Sequence, residues 1–421
     1  MVKKHILKNG LRLVYEKNDY IRSVSLGIWV NVGSSHENST NNGLSHFNEH
    51  MFFKGTETMN AKEIADRVDN IGGLLNAFTN KEMTCYYMRV IDENLTESLD
   101  IMTEMFLKSK YDEKDIENEK NVIIEEIKMY DDSPEDIVSD RISELVFKGS
   151  ALELPILGKK EDIQGYTRED ILKFRNDKYT AENIVITVVG NFDEKELINY
   201  IEENYSDIEK GKTDNVILNV PYKREIVSVH KEIEQMHFCL SNRSWERGHK
   251  LNLPLKVFNN TFGGSMSSKL FQELREKRGL VYSTTSYFSS YIDTGSFGIY
   301  AGLAYDKLDE CLKVITEIMD DLAENGLLEE EIERSKRQLK CNYILALESS
   351  SNVMSFIGRQ EMLENKTKTV EEVIKEIEAI NKDDIDEICK ALMKKEEMSA
   401  IFVGNETSHD KNIELFNKYL K

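Results

Sequence analysis

The sequence predicts a mixed α+β protein built twice over, and three observations carry that expectation. The chain has 421 residues, more than a single core usually accommodates, so two domains of about 210 residues each fit its length. Aligned with itself at an offset of 214 residues, the chain matches in two places: Tyr166-Thr167-Arg168-Glu169-Asp170-Ile171 stands opposite Ile380-Asn381-Lys382-Asp383-Asp384-Ile385, and Ile186-Thr187-Val188-Val189-Gly190-Asn191 opposite Ala400-Ile401-Phe402-Val403-Gly404-Asn405, without a gap. Self-similarity at a fixed offset is the mark of a duplicated unit. Finally, strand-like and helix-like patterns alternate along the first half, with strands that pair antiparallel and helices packed on one face. The expected domains are 1–214 and 215–421, with a junction between Lys210 and Pro221, where the polar run KGKTDN precedes a new strand-like pattern opening at Val227.

Taken in order, Arg12 to Glu16, Val24 to Val32, Leu74 to Thr79, Met83 to Val90 and Ile184 to Val189 read as strands, being short runs rich in β-branched and aromatic residues. Leu44 to Phe53, Asn60 to Ile71, Asn94 to Lys108 and Glu113 to Met129 read as helices. Asn60 supplies an N-cap for the second helix and Gly72-Gly73 a stop. In the fourth, the rhythm extends to Asp132, with Ile116, Val122, Ile123, Ile127 and Tyr130 forming one apolar face.

The first of these helices carries His46-Phe47-Asn48-Glu49-His50. Positions i and i+4 of a helix are neighbours one turn apart, so both imidazoles can reach a single metal ion, while Glu49 at i+3 points at water bound to it. Neutral imidazole leaves Zn²⁺ positive enough to bring bound water towards a pKa of about 7, where a nearby carboxylate can take the proton. A catalytic site needs a third protein ligand and an open fourth position. Glu126, 76 residues beyond His50, is the best candidate. Glu119 lies seven residues before it on the same helical stripe, placed to support a ligand histidine from behind, whereas Glu125 is turned about 100° away towards solvent.

The runs HFNEHMFFKGT (His46 to Thr56), GGLLNAFTNKEMTCYY (Gly72 to Tyr87) and EKNVIIEE (Glu119 to Glu126) resemble the inverted-zincin peptidases, the family of mitochondrial processing peptidase, insulin-degrading enzyme and pitrilysin. The similarity runs from LKNGLRLVYE (Leu7 to Glu16) to the strand near Val403 and is strongest to the short bacterial processing-peptidase-like members. It implies two homologous α/β-roll domains and one Zn²⁺ per chain held by His46, His50 and Glu126, with Glu49 as the base and Glu119 supporting the ligands. In the second half, LREKRGLVYS (Leu274 to Ser283) resembles the family's substrate-binding pair, which falls on Arg275 and Tyr282. Arg275 offers a fork of donors to peptide carbonyls, and the Tyr282 hydroxyl can donate to the oxygen that becomes negative on attack. The matching strand in the family presents an open edge on which an extended substrate pairs, making Asn76 and Ala77 contact positions. The resemblance further implies an enclosed chamber for unfolded peptides and a homodimer in which Arg275 and Tyr282 of one subunit complete the site of the other.

At the position of the metal helix the second half has Asn259-Asn260-Thr261-Phe262-Gly263-Gly264, and its histidines show no ligand spacing, so only the first domain is expected to bind zinc. Acidic residues number 76 against 55 basic ones, a net charge of −21, which disfavours nucleic acid and would steer in a basic peptide. No apolar run approaches 18 residues, and Met1-Val2-Lys3-Lys4 leads straight into the first strand; no membrane span and a cytoplasmic location are expected. The cysteines, Cys85, Cys239, Cys311, Cys341 and Cys389, are odd in number and contain no CxxC pair, so a disulfide framework is not expected, and Cys85 reads as a small buried strand residue rather than a nucleophile. Two other function classes are compatible with these motifs. One is a non-catalytic peptide-binding subunit or scaffold of the same fold; the other is a peptide-binding chaperone with a structural metal, which would need a fourth protein ligand.

Overall fold

The computed structural model describes residues 1–212, 216–405 and 409–420. Its strands form two sheets. The first contains β1 (Lys3–Ile6), β2 (Arg12–Lys17), β3 (Ser23–Val30), β4 (Leu74–Thr79), β5 (Thr84–Ile91) and β6 (Ile184–Gly190), in the order β1-β2-β6-β3-β5-β4. The second contains β7 (Ile226–His230), β8 (Met236–Ser244), β9 (Val281–Ser290), β10 (Gly295–Leu303) and β11 (Ser399–Gly404), in the order β7-β11-β8-β10-β9. Removing β1 from the first order leaves the second, strand for strand. The duplication is also visible in the caps: Thr167 and Asn381, 214 positions apart, each close a capping box on the helices Arg168–Lys178 and Lys382–Leu392.

Each sheet is mixed rather than wholly antiparallel, because β2 runs parallel to β6 and β7 parallel to β11. The helices also occupy more than one face. The broad core of the first sheet packs Leu13, Leu26, Ile28, Tyr86 and Met88 against helices, including Phe47 and Met51 of the metal-motif helix. Its opposite face is equally apolar, with Val14, Trp29, Cys85, Val185 and Val189 buried beneath Met354 and Ile357 of the helix Ser350–Glu364. A sheet apolar on both sides has to be covered on both sides. That covering helix comes from the second half of the sequence, and Pro134–Val146, from the first half, likewise packs on β8 and β11. The two compact units therefore comprise residues 1–128, 154–216 and 343–370, and residues 129–153, 217–342 and 371–421. The expected boundary at 214/215 falls outside the described residues.

The exchanged helix lies tight on its sheet. A Cβ at Gly358 would stand 2.3 Å from the Trp29 ring, and Trp29 Nε1 donates to Thr187 Oγ1 at 2.8 Å. Glu361, fully buried, is ion-paired with Lys4 Nζ at 2.7 Å and Arg12 Nη1 at 3.3 Å, so the same helix is held by charge as well as by apolar contact. Cys85 is buried in this layer, the place expected for a small strand residue.

Most of the anticipated elements stand where the sequence puts them. Asn60 accepts from Glu63 N and caps Ala61–Asn70, and Gly72, at φ +62°, follows it. The helix Glu113–Asp132 runs to the anticipated end, but its buried residues are Ile116, Glu119, Lys120, Ile123 and Ile124. Val122 and Tyr130, expected on the apolar face, are 47% and 40% exposed, because the buried stripe runs through Glu119 and Lys120 rather than along a purely apolar line.

Candidate metal centre

The metal motif lies on the helix Leu44–Met51, which begins at Gly43 with φ +92° and no side-chain cap of its own. A Cβ at Gly43 would stand 2.9 Å from Gly158 Cα and from Leu157 O, so both its conformation and its neighbours call for glycine. The missing cap is supplied by Glu37. Its carboxylate accepts from Ser45 N at 2.7 Å, Gly43 N at 2.7 Å and Asn42 Nδ2 at 3.0 Å. An anion placed there satisfies orphan amides and matches the positive end of the helix dipole. Burial pushes the Glu37 pKa up, and these donors oppose it. Asn48 pins the middle of the helix by accepting from Tyr111 Oη at 2.9 Å.

With Phe47 and Met51 committed to the core, His46, Glu49 and His50 come to the other side. There they meet the helix Glu113–Asp132. Glu126 Oε2 stands 3.7 Å from His46 Nε2 and 3.4 Å from His50 Nε2, and one ligand atom from each of the three residues lies within 4.8 Å of the others. Ligands at about 2.0–2.2 Å around a tetrahedral zinc stand about 3.3–3.6 Å apart, so the spacing fits the ion. Electrostatics points the same way. Burial first, then the charge of His50, drives the His46 pKa down to about 4, so this imidazole is held in the neutral form that binds a metal. Nδ1 of His46 is buried without a hydrogen-bond partner, leaving Nε2 as its functional nitrogen.

His50 is oriented from behind: its Nδ1 stands 2.9 Å from Glu119 Oε2, and the other oxygen of Glu119 pairs with Lys54 Nζ at 2.6 Å. Burial works against charge on His50, but Glu119 and Glu126 outweigh it and lift its pKa to about 9. Glu119 is also buried, yet His50 and Lys54 hold it below the usual carboxylate range, and His50 does the same for Glu126. Glu125 faces solvent as expected, and pairs with Lys128 on the exposed side of the helix.

Glu49 is not part of the ligand group. Its Oε2 accepts from Thr79 Oγ1 at 2.5 Å, and burial raises its pKa, which suits a proton acceptor working near neutrality. Thr79 ends β4, and β4 pairs with β5 alone, so it is the open edge of its sheet. The Ala77 N–H is bonded to the Asn76 side chain at 2.8 Å rather than to a neighbouring strand. Arg275 and Tyr282 belong to the other compact unit. The Arg275 guanidinium lies 5.1 Å from the Phe271 ring, and Tyr282, 61% exposed, stands at the start of β9, the edge strand of the second sheet.

Three contributors are absent from the residue roles assigned on sequence. Lys54 and Thr79 sit inside the runs FKGT and AFTN, but neither residue type announces a supporting role by spacing. Glu37 is one acid among many, and only the loop closing on Ser45 gives it a function.

Comparison with known proteins bears on this geometry. Residues 12–160 match the family described as insulinase (peptidase family M16), and residues 165–339 match the peptidase M16 inactive domain. The chain is 42% identical to the uncharacterized zinc protease YmxG of Bacillus subtilis, over 93% of this chain and 96% of that protein. It is 34% identical to the uncharacterized zinc protease SCO5738 of Streptomyces coelicolor, over 93% and 87% respectively. In fold it resembles a protease from Helicobacter pylori, with a TM-score of 0.87 and 23% identity over 96% of this chain and 99% of that one. The two domain matches, the zinc protease relatives and the metal-ready triad in the first unit together place this chain in peptidase family M16.

Proposed function

We propose that the chain is a zinc endopeptidase acting on unfolded or extended peptides, with one zinc held by His46, His50 and Glu126. The observation that carries the proposal is the convergence of two imidazoles and a carboxylate within 4.8 Å, beside a glutamate that is not spent on the ligand set. When bound, zinc supplies the Lewis acidity that polarises a scissile carbonyl and acidifies water. The remaining work falls to the chain. Glu49 takes the proton of the attacking water at its carboxylate and passes it to the leaving amine. Thr79 fixes the carboxylate rotamer, and Glu119 keeps the proton of His50 on Nδ1 so that Nε2 is free. A peptide laid along β4 at Asn76 and Ala77 would pair through its main chain, which holds many sequences alike. Arg275 grips peptide carbonyls, and Tyr282 donates to the developing oxyanion.

The similarity to processing-type peptidases supports a homodimer in which Arg275 and Tyr282 are supplied in trans, and a chamber enclosing the substrate. The net charge of −21 favours delivery of basic peptides and disfavours nucleic acid. No described helix is long and apolar enough to cross a membrane. Five free cysteines fit a reducing compartment, and the proposal places the enzyme in the cytoplasm. A non-catalytic scaffold is the rival reading. It gives no reason for Glu49 and Thr79 to be poised beside an assembled ligand set.

A peptide library, incubated with the zinc-loaded protein with and without a chelator and read by mass spectrometry, tests the reading. Chelator-sensitive cleavage is expected; no cleavage in either arm contradicts it. Thr79→Val is expected to lower kcat about tenfold, with a smaller change in KM, through loss of a charge-assisted hydrogen bond. For the trans site, Glu49→Gln and Tyr282→Phe subunits are each expected to be impaired alone and to regain activity when mixed. Mixtures no better than either parent would remove the trans arrangement.

A further inference from the structure

The open strand has two faces, and one of them carries unpaired positive charge. Directly opposed residues of an antiparallel pair point to the same side. Leu74 pairs with Arg89, Asn76 with Tyr87 and Phe78 with Cys85, so these six side chains share a face. It is the face covered by the helix Ser350–Glu364, since Cys85, Trp29 and Met354 lie in one buried layer and Ser25, which pairs with Arg89, bonds Ser350 at 2.9 Å. From that helix Arg359 reaches over the Phe78 ring, its guanidinium carbon 5.6 Å from the centroid. Both Arg89 and Arg359 are exposed. Among the described residues neither has a carboxylate partner, although the chain carries 76 acidic residues.

We infer that Arg89 and Arg359 form a cationic strip that selects acidic side chains at two same-face positions, four residues apart, of a peptide paired to β4. The inference rests on the peptidase reading above and adds a substrate class to it. A strand added to the edge lies about 4.8 Å away and continues the pleat, so every second side chain of the peptide falls on the arginine face. Leu74 and Phe78 are four positions apart, so the two preferred acidic positions are separated by four residues. Phe78 precedes Thr79, the residue bonded to Glu49, which puts the Arg359 position beside the cut and the Arg89 position further from it. Arg359 is held in place by its stacking on Phe78 and is pre-ordered for a carboxylate. The field of the whole protein acts at a distance, whereas these two groups act at contact. A peptide can therefore be basic on balance and still carry acids at these two places.

The test uses peptides that differ only in Asp, Ala or Lys at each position around one bond, cleaved by the zinc-loaded protein and by Arg359→Glu and Arg89→Glu. The parent is expected to prefer Asp over Lys by about three- to fivefold in kcat/KM at two positions four residues apart. Arg359→Glu should invert the preference at the position next to the cut only, and Arg89→Glu at the distal one only. Identical charge profiles for parent and variants would overturn the inference. Affinity of the same peptides for Glu49→Gln, read by fluorescence anisotropy, separates the two readings. With no cleavage by the parent but the same Asp preference in binding, the peptidase reading fails and the strip stands. With cleavage and no charge preference in either assay, the strip fails and the peptidase stands.

Discussion

Glu49→Gln is expected to reduce kcat/KM by about 10²–10⁴-fold while zinc content is unchanged. The substitution keeps the size and hydrogen-bonding shape of the side chain, so Thr79 still has an oxygen to bond, and no ligand of the metal group is touched. What disappears is the ability to accept a proton. A carboxylate whose pKa is raised by burial is tuned for that acceptance, and an amide cannot replace it. Kinetics with a fluorogenic peptide beside metal analysis of the same samples checks this. A variant that cleaved as fast as the parent would return Glu49 to a structural role and revive the scaffold reading.

The second large effect is expected at Glu119, which contacts no ligand atom directly. Glu119→Gln should weaken zinc binding by about 10–100-fold, measured by competition with a chromophoric chelator. The carboxylate is 3% exposed and holds His50 on one oxygen and Lys54 on the other. Neutralising it loosens the orientation of His50, makes its Nε2 a poorer donor to the metal, and strands the Lys54 charge at a half-buried position. Glu125→Gln, on the exposed side of the same helix, is the control and is expected to bind zinc like the parent. Equal losses at Glu125 and Glu119 would mean that overall negative charge, rather than the contact with His50, governs affinity.

Much of this site is legible in the chain itself because helical geometry is rigid. The spacing of His46, Glu49 and His50 fixes their common face before any tertiary contact is known, and the seven-residue step from Glu119 to Glu126 does the same on the second helix. The 214-residue offset reveals the duplication because a capping box and a buried strand constrain sequence locally, as Thr167 and Asn381 illustrate. What the sequence conceals is whatever depends on segments meeting. The exchange of Pro134–Val146 and Ser350–Glu364 leaves no periodic trace, since a helix packed on its own sheet and one packed on the other sheet need the same apolar stripe. Val122 and Tyr130 face solvent because charged residues, Glu119 and Lys120, take buried places on this helix that an apolar pattern cannot reveal. Glu37 and Thr79 act through loop closure and strand termini, where no repeat of residue types marks them. β1 is short and largely exposed, held as a hairpin arm against β2, and its polar sequence KKHI gives it no strand signature.

The central claim concerns three side chains around one ion, and X-ray absorption at the zinc edge, recorded on protein reconstituted with one equivalent of metal, tests it most directly. The account predicts two imidazole nitrogens and a carboxylate oxygen at about 2.0–2.2 Å, with a further light-atom ligand from solvent. Loss of one nitrogen in His46→Ala should follow. A spectrum showing sulfur ligation, four protein ligands in a closed shell, or an unchanged nitrogen count in His46→Ala would contradict it.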